Sequence, residues 1–221
     1  MRQKCKMFAL GLMALALSAG AHAISITASA IGQTTSSVVG VSTVTFDNGT
    51  CAGYSSCSGN FKIVSGFSGG QYAAPYFAPS DTTKYLTVGA YAGQSGNTAT
   101  LNLGASANYF GLFWGSIDTY NTISFLMGNT LVGSYTGTQI VNATAAALAA
   151  NGGQQQWSSN RYINFDFGTA KFDKVVMKST NMAFESDNHA FRKILVPEPA
   201  TLLLMALGLF SLVFVRSVKR I

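Results

Sequence analysis

Apolar residues that alternate with polar ones, in short segments separated by turns, constrain the fold of this chain more than any other feature. Residues 122–127 alternate in this way, and residues 162–167 repeat the pattern. A period of two residues is typical of a strand with one buried face. Gly128-Asn129 follows the first segment directly and is a two-residue hairpin signal. The pattern therefore predicts antiparallel β-structure.

The rest of the domain adds more strands and a single helix. Further strands are predicted for residues 38–46, 84–90, 109–114, 130–135, 172–179 and 182–185. Residues 138–150, which include an alanine run, form the one predicted helix, and Asn151-Gly152 ends it. Many strands without β–α alternation predict an all-β fold, an antiparallel β-sandwich or jelly-roll-like ectodomain with one short helix.

The N-terminus has the pattern of an export signal. Three basic residues precede an apolar segment at residues 7–17, and Ala21-His22-Ala23 follows as a small-residue cleavage site. We predict a signal peptide over residues 1–23, cleaved after Ala23. The alternative is an uncleaved anchor, but the apolar segment is shorter than the ~20 residues that a membrane span prefers.

The C-terminus has the pattern of a membrane tether. Pro197-Glu198-Pro199 precedes residues 200–215, which carry no charge, and a basic end begins at Arg216. Basic residues flank the cytoplasmic side of a span. We predict a transmembrane helix at about residues 200–215 and a cytoplasmic end at residues 216–221. The span is short against a hydrocarbon core of ~30 Å, which favours a temporary tether.

These ends account for most of the positive charge. The whole chain has a net charge of +6, whereas residues 24–196 hold eight basic and seven acidic side chains. The domain is therefore almost neutral, and nothing in its charge indicates a nucleic-acid partner. We divide the chain into an ectodomain at residues 24–191, a linker at 192–196 and a sorting region at 197–221.

Cysteine usage agrees with export. Cys51 and Cys57 are the two cysteines that remain after signal cleavage, and an oxidising compartment favours a disulfide between them. Zinc is the alternative, but it needs about four ligands and His189 is the one histidine of the processed chain.

The C-terminal residues also carry a family resemblance. Pro197, Glu198 and Pro199, the apolar segment and the basic end with Arg216 resemble a PEP-CTERM sorting region, also catalogued as an ice-binding-protein C-terminal domain. The resemblance implies export, tethering in the inner membrane, and processing by exosortase, a membrane-embedded cysteine protease. It then implies a location at the cell surface or in the extracellular matrix.

Two segments of the ectodomain resemble one family of exosortase-dependent surface proteins. They are residues 114–121, with the sequence WGSIDTYN, and residues 184–189, with the sequence FESDNH. This resemblance implies location and class, and it supplies no catalytic residue.

A structural calcium ion is one hypothesis for the ectodomain. Jelly-roll carbohydrate-binding modules often hold calcium where strands end, and Asp47, Glu185 and Asp187 lie at predicted strand ends. Calcium takes six to eight oxygen ligands, which Asn48 or Asn188 would supplement. The alternative is a set of solvated turn carboxylates.

Carbohydrate binding or adhesion to extracellular polysaccharide is a second hypothesis. Aromatic rings interleaved with amides are the side chains that stack on sugars and bond their hydroxyls. Tyr120 and Trp157 are the candidate ligand-binding residues, the latter beside Gln154, Gln155 and Gln156. The alternative is that most of these rings form the core of the sandwich.

The hypothesis that this chain is an enzyme has less support in the sequence. Residues 66–70 match the G-x-S-x-G motif around Ser68, with Asp118 or Asp166 and then His189 following in order. That motif requires a helix after the serine, and residues 71–83 contain two prolines and no helical period. Glycoside hydrolysis needs two carboxyl groups on either side of a sugar, and the neighbouring sequence does not indicate which two carboxylates would form such a pair. We therefore predict a non-enzymatic exported protein, with a secreted carbohydrate-active or serine hydrolase as the alternative.

Overall fold

The computed structural model describes residues 24–76, 82–89, 97–144 and 146–194. The predicted signal peptide and transmembrane helix lie outside these ranges. Within them the elements are β1 (Ser25–Ala28), β2 (Ser42–Val44), β3 (Ser56–Gly59), β4 (Phe61–Ser65), β5 (Phe67–Ser68), β6 (Tyr72–Ala73), β7 (Lys84–Val88), β8 (Thr98–Gly115), β9 (Asn121–Met127), β10 (Thr130–Thr136), α1 (Gly137–Ala143), β11 (Arg161–Asp166), β12 (Phe172–Ser179) and β13 (Phe184–Lys193).

The long strand β8 belongs to both layers of the fold. Its first half pairs with β12 on one side and β3 on the other, and its second half pairs with β11 and β13. Between the halves the register against β12 shifts by a bulge, and Gly104 adopts a φ of 75° there. A Cβ at this position would lie 2.9 Å from the Ser55 Cβ, so glycine suits both the backbone conformation and the space.

The bend produces two packed layers. One layer has the order β10-β9-β12-β8-β3, and the other has the order β1-β11-β8-β13-β7-β4, with β2 also on β13. Strands β9 and β11 are not hydrogen-bonded neighbours, yet the Phe125 and Phe165 rings meet at 4.9 Å. Phe125 also meets Phe110 at 5.8 Å. Because these rings touch across the gap between layers, the fold is the antiparallel β-sandwich that the sequence predicts.

A smaller cluster covers the outer face of the second layer. Tyr109, Phe113 and Tyr162 are buried there, and side chains from loops, including Val38 and Trp157, pack over them. The β8 segment is thus apolar on both faces, as expected for a central strand.

Several predicted elements are confirmed. The Gly128-Asn129 hairpin joins β9 to β10, with Met127 opposite Thr130. Strand β12 has the predicted bounds of 172–179. Cys51 and Cys57 form the predicted disulfide, which joins the loop after β2 to β3.

The helix is shorter than the sequence indicates. It covers Gly137–Ala143, with Thr136 and Gln139 forming a capping box, and Thr144 ends it. The Ala149 N–H instead bonds to the Ser158 carbonyl, so the alanine run joins the neighbouring loop. Short helices are marginal alone, and alanines offer little apolar area to hold one against a sheet.

Two boundaries predicted from the sequence differ from those in the structure. The strand expected over residues 38–46 is reduced to Ser42–Val44, because Val38 and Val41 cover the outer cluster instead. The linker expected at residues 192–196 does not begin at Arg192, since β13 continues to Lys193 and the Ile194 N–H bonds to the Ser106 carbonyl. Over the described ranges, no helix has the length and hydropathy needed to cross a membrane.

Candidate functional site

The two segments that resemble a surface-protein family are adjacent in space. In the β8–β13 ladder, Gly115 lies opposite Glu185 and Trp114 lies opposite Ser186. The Trp114 and Phe184 rings stack at 4.2 Å. Residues 70 positions apart in the sequence therefore build one end of the second layer.

The loop after β8 is attached to the loop before β13 by side-chain hydrogen bonds. The Tyr120 hydroxyl donates to the Met182 carbonyl at 2.7 Å, and the Asn121 amide donates to the Ala183 carbonyl at 3.0 Å. The Ser179 hydroxyl in turn donates to Asn121 at 2.6 Å. These contacts hold residues 181–183 in place beside Glu185.

Glu185 closes one wall of a pocket of about 290 Å³ at this end. The pocket lies between the β5–β6 hairpin and the loops that carry Gln154 and Met182. Its lining comprises Ser68, Gly70, Gln71, Tyr72, Gln154, Asn181, Met182, Ala183 and Glu185. Among the described residues of this lining, Glu185 is the only acidic or basic one.

The Glu185 carboxyl has one oxygen satisfied and one free of protein partners. Oε1 accepts the Ala73 N–H at 3.0 Å, whereas the buried Oε2 has no hydrogen-bond partner within the described part of the chain. The side chain is 3% exposed. An unmet buried polar atom is uncommon in folded proteins and calls for a physical reason.

Burial also decides the charge of this carboxyl. Burial, together with the Asp118 carboxylate nearby, raises the pKa of Glu185 to about 8. Hydrogen bonds to the carboxyl from the backbone N–H groups of Ala73 and of Glu185 itself oppose this rise. Burial likewise raises the pKa of Asp118, and its interaction with the Tyr120 hydroxyl opposes that rise. At neutral pH Glu185 is therefore mostly protonated.

The predicted calcium ligands are divided between two pockets. Asp47 and Asp187 line a pocket of about 210 Å³, together with Thr34 and Asn188, whereas Glu185 lines the separate pocket described above. Glu185 and Asp187 share one face of β13 but lie two residues, roughly 6.6 Å, apart along it. Among the residues that the structure describes, no three or more His, Cys, Asp or Glu side chains cluster as a metal site. Calcium at Asp47 and Asp187 remains a prediction.

The predicted sugar-stacking residues are also apart. Trp157 is half-buried and stacks on Tyr76 at 3.9 Å, so one of its faces is occupied by the protein. Tyr120 is half-buried at the other loop, where its hydroxyl is bonded to Met182. No contact between the two rings occurs in the described ranges, and the structure points to the Glu185 pocket instead.

The hydrolase motif is not assembled. Ser68 lies in β5, which turns back into β6 without a helix, so the strand–turn–helix geometry is missing there. His189 is fully buried, and its ring nitrogens bond to the Tyr54 hydroxyl at 2.7 Å and the Ser186 hydroxyl at 2.9 Å. The histidine is therefore a core residue, and burial lowers its pKa to about 3.

A larger pocket, of about 420 Å³, lies at the bend of β8. Its polar side chains are bonded within the protein: Lys174 donates to the Gly128 carbonyl, Asp173 accepts the Gly128 N–H, and Asn102 donates to Ser56. The pocket beside Glu185 is smaller, but its lining includes a buried carboxyl with one unmet oxygen. Two further buried atoms of the described residues, Trp114 Nε1 and Ser116 Oγ, are also without a partner. The pocket beside Glu185 is therefore the better candidate site.

The sequence contained only part of the signal for this site. Glu185 is the single glutamate of residues 24–196, and the sequence predicts it as a calcium ligand. Ser68, Gln71 and Gln154, which line the same pocket, come from segments far away in the sequence, and no local pattern links them. Their meeting depends on the β8–β13 pairing.

The two buried titratable groups of β13 predict an unusual pH dependence of stability. The pKa of Glu185 is raised from about 4.5 to about 8, so its contribution is complete below pH 4.5 and is lost as the pH rises through 8. The pKa of His189 is lowered from about 6.5 to about 3, so its contribution is complete above pH 6.5 and is lost as the pH falls through 3. We expect a plateau in the free energy of unfolding between pH 4.5 and 6.5, and a fall of about 2 kcal/mol from pH 6.5 to 8.

Urea denaturation of residues 24–196 at a series of pH values measures this. Glu185→Gln is expected to remove the fall above pH 6.5, because the amide does not ionise. The exposed carboxylate variant Asp166→Asn is the matched control and should keep it. If the free energy of unfolding of Glu185→Gln still falls above pH 6.5, as in wild type, the assignment of this pH dependence to Glu185 is wrong.

The calcium prediction is tested by thermal melting of residues 24–196. An ion bound by Asp47 and Asp187 in the native state raises the melting temperature in calcium and lowers it with a chelator. Asp187→Asn should remove the difference, and Asp173→Asn, away from that pocket, should retain it. A melting temperature that is the same with calcium and with chelator would remove the prediction.

Comparison with known proteins adds information on the C-terminal region. None of the curated proteins matches the sequence significantly. Among solved structures, "CBM32 of AlyQ in complex with 4,5-unsaturated mannuronic acid" is similar over 48% of this chain and 75% of that chain, with 16% identity and a TM-score of 0.28. A TM-score this low supports no argument about the ligand. Residues 195–220 match the family model of the PEP-CTERM protein-sorting motif, and the chain therefore carries that sorting motif at its C-terminus.

Proposed function

We propose that this chain is an exported, non-enzymatic surface or extracellular-matrix protein, sorted through its PEP-CTERM tail and cut by exosortase. The motif match at residues 195–220, which contains Pro197, Glu198, Pro199 and Arg216, is the observation that carries the proposal. Residues 1–23 have the composition of a signal peptide that would start export.

The end of the folded domain is compatible with removal of the tail. Strand β13 ends at Lys193, and the Ile194 N–H makes a backbone bond to Ser106. The motif match begins one residue later, at residue 195. Cleavage near Pro197-Glu198-Pro199 would therefore keep every described strand in the released product.

The mass of the mature C-terminus tests sorting. We expect a species that begins at Ile24 and ends near residue 197 in cells with exosortase, and a species that retains Ile221 in cells without it. Glu198→Ala should shift the product toward the uncut form, whereas Glu185→Gln, outside the motif, should not. A wild-type chain that keeps Ile221 in the presence of exosortase would make the protein a simple anchored protein.

We further propose that the ectodomain binds extracellular polysaccharide and so acts in adhesion or matrix attachment. Its near-neutral charge suits an uncharged polymer more than a highly charged one. The pocket beside Glu185 presents hydroxyl, amide and phenol side chains, which are the groups that bond sugar hydroxyls.

A carbohydrate-active enzyme is the second candidate, because Asp118 and Glu185 are both buried, have raised pKa values and interact electrostatically. A pair of carboxyl groups with different pKa values is the requirement of glycoside hydrolysis. The pocket lining, however, contains Glu185 and not Asp118. We therefore favour binding over catalysis.

A glycan array with the purified protein distinguishes the two candidates. We expect retention of uncharged polysaccharides and no release of reducing ends on prolonged incubation with the same polymers. Reducing ends that appear with wild type and vanish in Glu185→Gln would favour the enzyme. A flat array at high protein concentration would count against polysaccharide binding.

A further inference from the structure

We infer that the end of the sandwich from which the C-terminal tail leaves is a membrane-docking surface, and that its partner is a bilayer with anionic lipid headgroups. This tail-side surface comprises residues 104–108, 127–131, 166–174 and 192–194. The inference rests on the proposed sorting through the tail, and it adds a partner for the folded domain while the tail is still attached.

The tail leaves little distance between the folded domain and the predicted span. Strand β13 ends at Lys193, and the Ile194 N–H bonds to the Ser106 carbonyl at 2.8 Å. The transmembrane helix is predicted to begin at about residue 200, so residues 195–199 connect the two. Such a connection spans at most about 18 Å. Ile194 therefore stays within that distance of the predicted span, beside the lipid headgroups.

Contacts of β8 at its bend gather the tail-side surface. Ala107 pairs with Phe172 of β12 on one side and with Lys193 of β13 on the other. The Ser106 hydroxyl contacts the Met127 sulfur at 3.9 Å. The start of β12, the end of β9 and the end of β13 are therefore neighbours at the point where the tail leaves.

The β9–β10 hairpin presents apolar side chains on this surface. Met127 is 41% exposed, and Leu131 is 60% exposed. The Lys174 ammonium donates to the Gly128 carbonyl at 2.8 Å, so a cation lies at the same hairpin turn. Exposed apolar side chains beside cations are typical of surfaces that enter the headgroup region of a membrane.

Positive charge is concentrated at the tail-side surface. Its basic side chains are Lys171, Lys174, Arg192 and Lys193, and its acidic ones are Asp166 and Asp173. Four basic less two acidic side chains give a net charge of +2. Elsewhere in the described ranges, four basic side chains balance four acidic ones, so the excess belongs to this surface. Near an anionic bilayer, each such charge strengthens the attraction roughly fivefold.

Docking in this orientation would leave the opposite end of the domain accessible. Glu185 and Lys193 lie near the two ends of β13, roughly 26 Å apart along the strand. The pocket beside Glu185, with Met182 in its lining, is therefore on the side away from the bilayer. A domain docked through its tail-side surface would present that pocket to extracellular polymer.

The test uses the chain that retains its C-terminal tail, purified from cells without exosortase and placed in lipid nanodiscs. One set of discs is phosphatidylcholine alone, and the other has two parts of phosphatidylcholine to one of phosphatidylglycerol. Each contains a trace of lipid with a spin-labelled headgroup, and the methionine methyl groups are observed by NMR. Met127 reports on the tail-side surface, and Met182, which is also 41% exposed, is the internal control.

We expect the spin label to broaden the Met127 methyl signal and not the Met182 signal in anionic discs. The ratio of docked to undocked domain is obtained from that broadening. With a net charge of +2, this ratio should be roughly 25-fold lower in neutral discs. It should also fall at high salt, because salt screens the attraction.

Charge variants locate the surface. Lys171→Gln combined with Lys193→Gln removes two charges from it, and the docked ratio in anionic discs should fall roughly 25-fold. The matched control combines Lys62→Gln with Lys178→Gln, which removes the same charge elsewhere. Lys178 pairs with Thr98 and Thr122 at the far end of the first layer, so this control should stay within about twofold of wild type.

An apolar pair of variants tests the hairpin contact. Leu131→Ser should lower the docked ratio roughly fivefold, because it removes apolar area that would leave water on docking. Phe67→Ser changes a side chain that is 50% exposed in β5, next to the Glu185 pocket, and should dock like wild type. Melting curves of all variants serve as the folding control.

The outcomes separate docking from sorting. Equal broadening of Met127 and Met182, equal docking in neutral and anionic discs, or an equal loss in the two lysine pairs would overturn the inference. A chain that does not stay with the discs would also overturn it, because the tether would be missing. The C-terminal mass scores sorting separately. A chain that docks but keeps Ile221 in cells with exosortase overturns sorting and leaves docking in place, whereas a chain that is cut near residue 197 but does not dock does the reverse.

Discussion

The pairing of β8 with strands of both layers is the constraint on which the rest of the structure depends. Gly104 allows the strand to bend, so its first half completes one sheet and its second half lies at the centre of the other. The inner rings, such as Phe110 and Phe125, then meet between the layers. Because β13 pairs along the second half of β8, the last strand of the domain lies inside the sheet and not at an edge.

The central position of β13 determines the surroundings of its side chains. Its side chains alternate between two environments. Ser186 and His189 lie in the core, whereas Glu185 lies on the outer face of the second layer, among the residues that cover it. A bulge after Asp187, where Asn188 adopts a φ of 49°, shifts the alternation so that His189 also faces inward. Burial then lowers the pKa of the histidine and raises that of the glutamate, so both are uncharged at neutral pH.

The central position of β13 also bears on sorting. The strand that leads into the PEP-CTERM motif is hydrogen-bonded to β8 through Lys193. A domain that ends on a central strand cannot lose that end without losing sheet pairing, whereas it can lose the tail that follows. The position of the motif directly after Ile194 therefore keeps the sorting signal separate from the folded core.

The fold class was predictable from the sequence because it depends on local periodicity. Strand β12 and the Gly128-Asn129 hairpin appear where the pattern places them. Residues 98–103 also alternate, but Gly104-Ala105-Ser106 is typical of a turn, and only pairing with β12 and β3 carries the strand through it. The candidate site was less predictable, since the sequence singled out Glu185 but grouped it with Asp47 and Asp187.

The sequence by itself determined the sorting motif of the protein and its β-class, because a motif and a two-residue period are properties of contiguous residues. Only the tertiary structure decided the surroundings of Glu185. A hairpin at residues 67–73 and a loop at Gln154 reach it through long-range pairing, and the resulting burial removes its charge. Burial and unmet hydrogen bonds are properties of packed neighbours, which no local pattern in the chain encodes.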